Sequence, residues 1–317
     1  MIRDRSVVVN GDLGSGKSTV SIELANRLGL RRISIGDLYR QMAQDRGMTA
    51  LQLNLHAELD DAVDGTVDKL QQEIADSGEQ LVVDSRLAWF FFTDAFKIHL
   101  ITDPTVAARR VLARPSSEVE RYSSLEEAEE RLRSRTESER MRFLTRYGAD
   151  KFVLRNYDLV CDTSRATPDE IVGLIYAALM GQLAPDILLD SPPLLLMDPA
   201  RIYPTTELRK VHDIWNEDYV GSVGAGGPAA LPPIALGYAD FHFYVVDGHR
   251  RLSAALQNGF RLVPALLVAE GEEEVVDGQS ALPYFESTVT ASMIDDWSEA
   301  HHIELPTPAH LLRHVHR

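Results

Sequence analysis

The stretch Gly11-Asp12-Leu13-Gly14-Ser15-Gly16-Lys17-Ser18-Thr19 decides the fold of this chain. It matches the phosphate-loop pattern G-x-x-x-x-G-K-[ST] at every fixed position. It follows the apolar run Val7–Val9, which is typical of a buried strand, and it precedes residues 19–28, whose apolar residues have helical spacing. A strand before the loop and a helix after it are the context in which this pattern binds phosphate, and they argue against a chance glycine-rich turn.

Each part of this loop has a physical role toward a polyphosphate. Glycines let the backbone approach the anion, and amide groups at the helix start point at it together with the positive end of the helix dipole. Lys17 would reach the β- and γ-phosphates, and the Ser18 hydroxyl would bind Mg²⁺. We therefore predict an ATP site whose residues are Gly11, Gly14, Ser15, Gly16, Lys17, Ser18 and Thr19.

Composition limits the class of protein. A chain of 317 residues exceeds one ordinary domain, and 44% apolar residues suffice for packed cores. The sequence has no run of 18 apolar residues, the length that a membrane span needs, and no apolar signal region at its start. The single cysteine, Cys161, lies in an apolar run that predicts a buried thiol. These features predict a cytoplasmic protein.

Charge is distributed unevenly along the chain. The formal net charge is −16, and residues 183–317 hold 8 basic against 19 acidic side chains. Because contacts to phosphates supply most of the affinity for nucleic acid, an acidic second half argues against nucleic acid as a partner.

Residues 1–180 alternate between strand and helix patterns. This alternation predicts an α/β domain, a parallel P-loop sheet with helices on both faces. The predicted strands are Ser6–Asn10, Arg32–Ser34, Leu81–Asp84, Lys97–Ile101 and Asp158–Cys161. The predicted helices are 17–28, 36–46, 60–76, 104–113, 124–146 and 168–180.

Prolines mark the end of this region. The segment Gln182–Pro199 contains four of them, so we predict one domain over residues 1–182 and a second over 190–317. Within the second domain, the glycine- and proline-rich stretch Gly221–Pro233 predicts a mobile loop. Residues 289–317 are expected to be a polar helical tail.

Four motifs in the first domain occur in an informative order. They are Ser34-Ile35-Gly36-Asp37-Leu38-Tyr39-Arg40, Val82-Val83-Asp84-Ser85-Arg86-Leu87-Ala88-Trp89, the arginine-rich run Arg131–Arg142, and Leu159–Ile171. With the phosphate loop, they resemble cytidylate kinases of the archaeal type over residues 5–180.

The resemblance implies roles for individual residues. Arg40, in the turn with Gly36 and Asp37, and Arg86 would bind the phosphate of the acceptor nucleotide, since guanidinium groups suit phosphate oxygens. Asp84 would orient Mg²⁺ with Ser18. Arginines of a mobile lid would complete the site, and the candidates are Arg110, Arg114, Arg135 and Arg140. The implied reaction is transfer from ATP to a pyrimidine nucleoside monophosphate, CMP or dCMP first.

This sequence departs from the family in several places. Asp12 puts a negative charge beside the predicted triphosphate, and Ser85 stands where the family has glycine. The aromatic segment Phe90-Phe91-Phe92 fits either core packing, which we favour, or a reshaped base pocket.

A second glycine turn joins a strand to a helix at Tyr244–Ala255. Residues 194–270 resemble the ParB/sulfiredoxin superfamily, and Asp247-Gly248-His249-Arg250-Arg251 is most similar to the turn of free-serine kinases within it. The resemblance implies a smaller α+β domain. It also implies that Gly248, His249, Arg250 and Arg251 bind a nucleotide or phosphorylated metabolite.

Two acidic residues complete this second hypothesis. Asp247 would bind Mg²⁺ or act with His249, and Glu207 resembles a general base. A capping role for Glu207, and a simple helix start at Gly248, are the alternatives. The late histidines His301, His302, His310 and His314 favour a solvated tail over a zinc site.

Two functions from different classes fit these observations. The first is a bifunctional or composite phosphotransferase, in which the second domain binds nucleotide and phosphorylates a small hydroxyl compound. The alternative is a nucleotide-sensing regulator whose ParB-like domain switches on CTP. A catalytically inactive kinase is disfavoured because Lys17, Ser18, Arg40, Asp84 and Arg86 are all present.

Overall fold

The computed structural model describes residues 5–48, 61–113, 122–183, 193–212, 217–276 and 278–312. The chain divides into two compact units, Met1–Phe152 and Val153–Arg317. Within the described ranges, no helix combines the length and the apolar character that crossing a membrane requires.

The sheet of the first unit is parallel. Its strands are β1 (Val7–Gly11), β2 (Arg31–Ser34), β3 (Leu81–Asp84) and β4 (Phe96–Ile101). They lie in the order β2-β3-β1-β4. Val8 of β1 and Val82 of β3 are fully buried, as expected for strands with both faces covered. The four strands predicted in this region are confirmed.

The helices of the first unit begin and end at predictable residues. Ser34, Asp103 and Ser124 accept backbone N–H bonds as N-caps, and Gly29 ends the first helix with a positive φ of 67°. The helices are α1 (Lys17–Leu28), α2 (Ile35–Asp45), α3 (Asp61–Asp76), α4 (Ala88–Phe91), α5 (Pro104–Leu112) and α6 (Leu125–Tyr147). Of these helices, sequence analysis missed the short α4.

The second unit has a mixed sheet. Its strands are β5 (Leu159–Asp162), β6 (Leu194–Met197), β7 (Ile202–Tyr203), β8 (Ile234–Ala239), β9 (His242–Asp247) and β10 (Val263–Glu270). They follow the order β5-β6-β10-β8-β9-β7. The pairs β5–β6, β10–β8 and β7–β9 are parallel, and β6–β10 and β8–β9 are antiparallel. A separate hairpin pairs β11 (Glu274–Val276) with β12 (Gln279–Ser280).

Helices of the second unit enclose an aromatic core. They are α7 (Pro168–Leu179), α8 (Leu208–His212), α9 (Glu217–Gly226), α10 (His249–Gln257), α11 (Ala281–Thr288), α12 (Ala291–His301) and α13 (Ala309–Leu312). Tyr244, Phe285 and Trp297 are buried. The Tyr244 hydroxyl donates to the carbonyl of Ala281 at 2.9 Å, which satisfies the polar end of this core.

Two ion pairs join the carboxyl ends of β5 and β6. Arg165 binds Asp198 through two hydrogen bonds of 2.6 Å, and Arg201 binds Asp162 at 2.6 Å. Both carboxylates are almost fully buried, at 0% for Asp162 and 1% for Asp198. Each residue pairs across the two strands, so the bonds fix the ends of β5 and β6 against each other. Cys161, at the end of β5, is a buried thiol as predicted, and burial raises its pKa.

The prediction of a mobile loop over Gly221–Pro233 is wrong. Helix α9 and a 3-10 turn at Pro228–Ala230 occupy most of this stretch. Asn258 donates to the carbonyl of Val220 at 3.0 Å, and a side chain at Gly224 would meet the Asn258 amide. The glycine therefore permits close packing of the helix rather than mobility.

The polar tail predicted at 289–317 is also corrected. Val289, Ile294 and Trp297 are buried in the core. His301 bonds to Ser253 at 3.1 Å, so this histidine is not part of a solvated tail. His310 packs its ring against Phe285, and His314 lies outside the described residues. Among the described residues, no group of three or more His, Cys, Asp or Glu side chains is placed to hold a metal ion.

The domain division between residues 182 and 190 stays a prediction. Residues 184–192, which include most of that segment, lie outside the described residues. The smaller α+β ParB-like domain expected there also stays a prediction.

Candidate active site

The phosphate loop has the backbone that its sequence predicts. β1 ends at Gly11 and α1 begins at Lys17. Gly14 and Gly16 both have φ of 82°, in the left-handed region that favours glycine. A Cβ on Gly14 would lie 2.8 Å from the Cα of Ala107. Glycine at this position is therefore required both by conformation and by the close approach of α5.

Helix α1 begins without a side-chain cap. Gly16 is its N-cap residue and offers no side-chain acceptor. Ser18 and Thr19, in the first turn, are exposed. Ser15 is 1% exposed and, among the described residues, its hydroxyl has no hydrogen-bond partner. Such a helix start offers backbone and hydroxyl donors to an anion.

Asp84 is the centre of a buried charge cluster. It ends β3, opposite Val9 of β1 and Ser34 of β2, and is 1% exposed. One carboxylate oxygen accepts from the Lys17 ammonium, and the other accepts from the Arg32 guanidinium.

The two cations and the carboxylate change each other's protonation. Burial alone would raise the pKa of Asp84, but its bonds to Lys17 and Arg32 outweigh burial and hold that pKa below the ordinary value. Burial lowers the pKa of Lys17, against the opposing effect of Asp84, and the nearby charges of Arg86 and Arg32 lower it further. Arg86 therefore acts electrostatically on the phosphate-loop lysine.

Arg32 is a site residue that sequence analysis missed. It was predicted only as the start of a strand. Its Nε donates to the Ser21 hydroxyl at 2.8 Å, and that hydroxyl also donates to Asp84 at 3.3 Å. The available signal was a basic residue within the short strand that precedes the turn with Gly36 and Asp37.

The predicted acceptor turn begins α2. The Ser34 hydroxyl accepts from the amide of Asp37 at 3.2 Å, and Arg40 forms an ion pair with Asp37. Burial would raise the pKa of Asp37, but hydrogen bonds from Arg40 and Ser34 outweigh it and lower that pKa. The Arg40 side chain is 60% exposed, and Gly36 has Arg40 as its neighbour. This turn presents an exposed arginine just after Ser34, which lies opposite Asp84 in the sheet.

Ser85 supports the backbone that carries Arg86. Its hydroxyl donates to Gln71 of α3 at 2.9 Å and accepts from the amides of Leu87 and Ala88 at 3.2 Å each. The Ser85 hydroxyl thus holds the turn between β3 and α4.

Arg86 and Arg135 converge on one carboxylate. Both guanidinium groups donate to the same oxygen of Glu139, Arg135 at 3.3 Å. The Glu139 side chain is 8% exposed, whereas both arginines are 38% exposed. Glu139 was not identified from sequence, because it lies within a charged helix and its partner Arg86 comes from a distant segment.

The other lid candidates lie in different surroundings. Arg110 donates to the carbonyl of Gly14 at 3.3 Å, which places it against the phosphate loop. Arg140 binds Asp150, a different carboxylate from Glu139, through bonds of 2.7 to 3.2 Å. Arg114 lies outside the described residues.

Asp12 turns one carboxylate oxygen toward the sheet. Its Oδ1 is buried and lies 3.9 Å from Nε2 of His99, a fully buried histidine on β4. Burial, with the charge of Lys151, lowers the pKa of His99 to about 3. His99 is therefore neutral, and its other nitrogen lies 3.0 Å from the Asn10 amide.

The aromatic segment divides between core and surface. Trp89 and Phe92 are each 5% exposed, as core packing predicts. Phe90 is 39% exposed and its ring lies 5.7 Å from that of Tyr147 on α6. Core packing thus explains Phe92 but leaves Phe90 at the surface.

Comparison with known proteins agrees with this geometry. The AAA domain family matches residues 7–142. The cytidylate kinase of Natronomonas pharaonis is 37% identical over 182 residues, which cover 57% of this chain and 91% of that protein. The cytidylate kinase of Methanobrevibacter smithii is 33% identical over 173 residues, 55% of this chain and 97% of that protein. The chain belongs to the cytidylate kinase family.

This membership rests on the first part of the chain. The chain is a nucleoside monophosphate kinase-like phosphotransferase there. Two solved structures align over 56% of this chain. A shikimate kinase from Bacteroides thetaiotaomicron has a TM-score of 0.42, 15% identity and 98% of its own length covered. A gluconokinase from Sinorhizobium meliloti has a TM-score of 0.39, 21% identity and 92% covered.

The glycine turn of the second unit has a different arrangement. Gly248 has φ of 111° and is the N-cap residue of α10, with no side-chain cap. Arg251 binds the carboxylate of Asp247 and the carbonyl of Pro233. Arg250 lies over the Tyr219 ring at 4.9 Å. Both arginines therefore have partners within the unit.

His249 is held in a neutral form. Its Nε2 accepts from the amide of Thr205 at 3.1 Å, which requires the unprotonated nitrogen. Burial lowers the pKa of His249 to about 4, against the charge of Asp247. Glu207 accepts from Arg209 and Lys210, whose bonds lower its pKa. Glu207 is therefore ionised, as either a base or a helix-start residue would be.

Proposed function

We propose that the first part of this chain transfers the γ-phosphoryl group of ATP to a pyrimidine nucleoside monophosphate, with CMP or dCMP as the first acceptors to test. The observation that carries the proposal is the convergence of Lys17 and Arg32 on Asp84, beside an uncapped helix start. Phosphoryl transfer requires positioning and neutralisation of negative charge, and this cluster supplies positive charge in a partly buried place.

ATP and Mg²⁺ are the proposed cofactors. The donors available to Mg²⁺ are the exposed hydroxyl of Ser18 and the carboxylate of Asp84, hard oxygen ligands of the kind Mg²⁺ prefers. Two protein oxygens suit an ion that takes its remaining ligands from phosphate and water. When bound, Mg²⁺ would neutralise charge on the transferred phosphoryl group.

The lysine has two partners available in this mechanism. In the structure Lys17 binds Asp84. On ATP binding, its ammonium would bind the β- and γ-phosphate oxygens, which leaves a lone pair of Asp84 for the ion and its water. Arg32 keeps the other Asp84 oxygen hydrogen-bonded throughout, so the buried carboxylate stays paired.

The acceptor would lie on the side of Arg86 and Arg40. Their guanidinium groups would hold its phosphate in line with the γ-phosphoryl group. The exposed ring of Phe90, four residues after Arg86, is proposed to lie against the pyrimidine base. The base would stack there because aromatic rings favour offset contact with planar partners.

One experiment tests this function directly. The full chain is incubated with ATP and Mg²⁺ against a panel of nucleoside monophosphates, and diphosphate products are followed by mass spectrometry. CMP and dCMP should be converted fastest. No turnover of any nucleoside monophosphate would contradict the proposal.

We further propose that the second region binds a nucleotide or phosphorylated metabolite at Asp247–Arg251. A helix start without a side-chain cap supports this, as does the buried Arg250 Nε, which has no hydrogen-bond partner among the described residues. In the bifunctional form, Asp247 and Glu207 would serve phosphorylation of a small hydroxyl compound. In the alternative form, the region is a CTP-dependent switch in a nucleotide-sensing regulator.

The two forms differ in their products. Adding hydroxy amino acids and nucleosides to the same assay tests for a second phosphorylated product. Binding of CTP without any second product favours the regulator. Salt-sensitive binding of duplex DNA without nucleotide binding would contradict both forms.

A further inference from the structure

Glu139 is the feature of the first unit that the proposed reaction does not use. It lies on α6, and its side chain is 8% exposed. A buried carboxylate is unfavourable unless it is paired, and here two guanidinium groups supply the pairing. One of them, Arg86, follows β3, whereas Arg135 lies on the same helix as Glu139.

A phosphate is a better match for two guanidinium groups than the Glu139 carboxylate is. Two arginines share a single oxygen of one carboxylate. A terminal phosphate carries more negative charge than a carboxylate and has three oxygens that accept from guanidinium groups. The pair of arginines therefore suits a phosphate better than it suits the carboxylate that now occupies it.

Arg86 also communicates with the transfer centre. It follows Asp84 by two residues, and the Asp84 carboxylate binds the Lys17 ammonium. Its charge also contributes to the lowered pKa of Lys17. An anion bound by Arg86 would consequently lie near the phosphate loop. The Glu139 carboxylate sits on the arginine that the proposed function gives to the acceptor phosphate.

We propose that Glu139 is an internal substitute for the acceptor phosphate: it occupies Arg86 and Arg135 until a phosphate monoester displaces it. This proposal rests on the proposed function, in which Arg86 binds the acceptor. Before displacement, Glu139 holds both arginines in one place and excludes weaker anions. After displacement, the acceptor phosphate takes both guanidinium groups. Glu139 is thus a positioning residue that sets the affinity and selectivity of the acceptor site.

The opposite role for Glu139 predicts the opposite sign. If Glu139 only held Arg86 in place for substrate, removing its charge would weaken acceptor binding. If Glu139 competes with the acceptor, removing its charge strengthens acceptor binding. The sign of one change therefore separates competition from structural support.

The experiment uses the full chain and the substitution Glu139→Gln, which keeps the shape and removes the charge. Calorimetric titration with CMP measures acceptor binding, and a separate titration with ATP measures the phosphate loop. The dissociation constant for CMP should fall by about tenfold, the size expected for removing competition by one charge-assisted hydrogen bond. The dissociation constant for ATP should stay the same.

Two controls accompany this measurement. Glu130→Gln removes a carboxylate from the same helix whose ion pair with Arg133 is exposed, and it should change neither constant. Glu139→Asp keeps the charge but shortens the side chain, and its CMP affinity should lie between wild type and Glu139→Gln. It also gives a second measurement if Glu139→Gln lowers the melting temperature.

The outcome is decided without relying on CMP alone. Inorganic phosphate is titrated into wild type and Glu139→Gln, and the variant should bind it several times more tightly. Failure of wild type to bind or phosphorylate any nucleoside monophosphate contradicts the proposed function, while tighter phosphate binding by the variant still supports the substitute role of Glu139. Unchanged or weaker binding of both CMP and phosphate by Glu139→Gln and Glu139→Asp would overturn the proposal.

Discussion

Two glycine turns of this chain join a strand to a helix, and they differ in what surrounds their cations. At the phosphate loop, Lys17 and Arg32 share the buried carboxylate of Asp84, which ends a different strand. At the second turn, Arg251 pairs with Asp247 four residues away, and Arg250 stacks on Tyr219.

The difference lies in which elements supply the positive charge. In the first unit, Lys17 of α1 and Arg32 of β2 bind the buried carboxylate of Asp84, and Arg86, which follows β3, and Arg135 of α6 bind that of Glu139. The second turn holds two arginines, of which one has a local carboxylate. A glycine turn before a helix is thus similar in both places, but the first is surrounded by charges from other elements. Such a concentration of cationic side chains is what a polyphosphate requires.

Substitution of Lys17 gives the largest expected effect on this comparison. Lys17→Ala should lower kcat/KM for CMP phosphorylation by roughly 10²- to 10³-fold, because removal of one group that stabilises transition-state charge costs about 3–4 kcal/mol. Steady-state kinetics measure the loss. Arg133→Ala, at an exposed position on α6, serves as the control. Full activity of Lys17→Ala would show that the phosphate loop is not the catalytic site.

Acidification tests the buried histidine of the second turn. The pKa of His249 is lowered to about 4 in the folded protein, so the unfolded chain binds a proton on His249 before the folded protein does. Stability should therefore fall as pH decreases from about 6.5 toward 4, by roughly 3 kcal/mol from this residue. Urea unfolding at several pH values measures it.

A matched variant isolates this histidine. His249→Gln removes the titrating group, and its stability should decrease less over the same pH range than that of wild type. An equally steep decrease in the variant would assign the pH dependence to other groups, such as His99.

Substitution of Arg86 tests whether this residue binds the acceptor or ATP. Arg86→Lys should raise the KM for CMP and lower kcat, together by about tenfold or more in kcat/KM, because a lysine does not reproduce the geometry of a guanidinium group. Binding of ATP should be unchanged by calorimetry. Arg133→Lys is the matched control. Weakened ATP binding with normal acceptor binding would show that Arg86 binds ATP and not the acceptor.

The second turn should show the smallest effect. Arg250→Ala should weaken nucleotide binding at the second region by about threefold to tenfold, the size of one charged contact. Phosphorylation of CMP should continue at the wild-type rate. Asp247→Asn and Glu207→Gln should abolish any second phosphorylated product. Unchanged nucleotide binding by Arg250→Ala would contradict the proposal of a phosphate site at this turn.

Local patterns predicted the parts of the site that are contiguous in sequence. The phosphate loop and the strand that ends at Asp84 follow from glycine spacing and apolar runs. The burial of Cys161 followed from its apolar neighbours in the same way.

Contacts between distant segments were not predictable. Arg32 and Glu139 have ordinary places in a strand and a charged helix, and their roles come from Asp84 and Arg86, which reach them only in the fold. The glycine-rich composition of Gly221–Pro233 led to the wrong prediction of a mobile loop. Its small residues instead allow a helix to pack closely against Asn258. A composition rich in glycine does not by itself distinguish packing from a loop.

The crossed ion pairs of β5 and β6 make the chain a natural candidate for splitting into complementing fragments. A cut between residues 184 and 192 would put Asp162 and Arg165 on one fragment and Asp198 and Arg201 on the other. The hydrogen bonds between the parallel strands β5 and β6 and both ion pairs could still form between the two fragments. A fragment that ended at residue 183, made without the second fragment, would contain Asp162 but not its partner Arg201. Loss of one partner from a buried ion pair typically costs about 3–5 kcal/mol. The two fragments should therefore be recovered together when they are co-expressed. The first fragment expressed alone should give a lower yield of soluble protein.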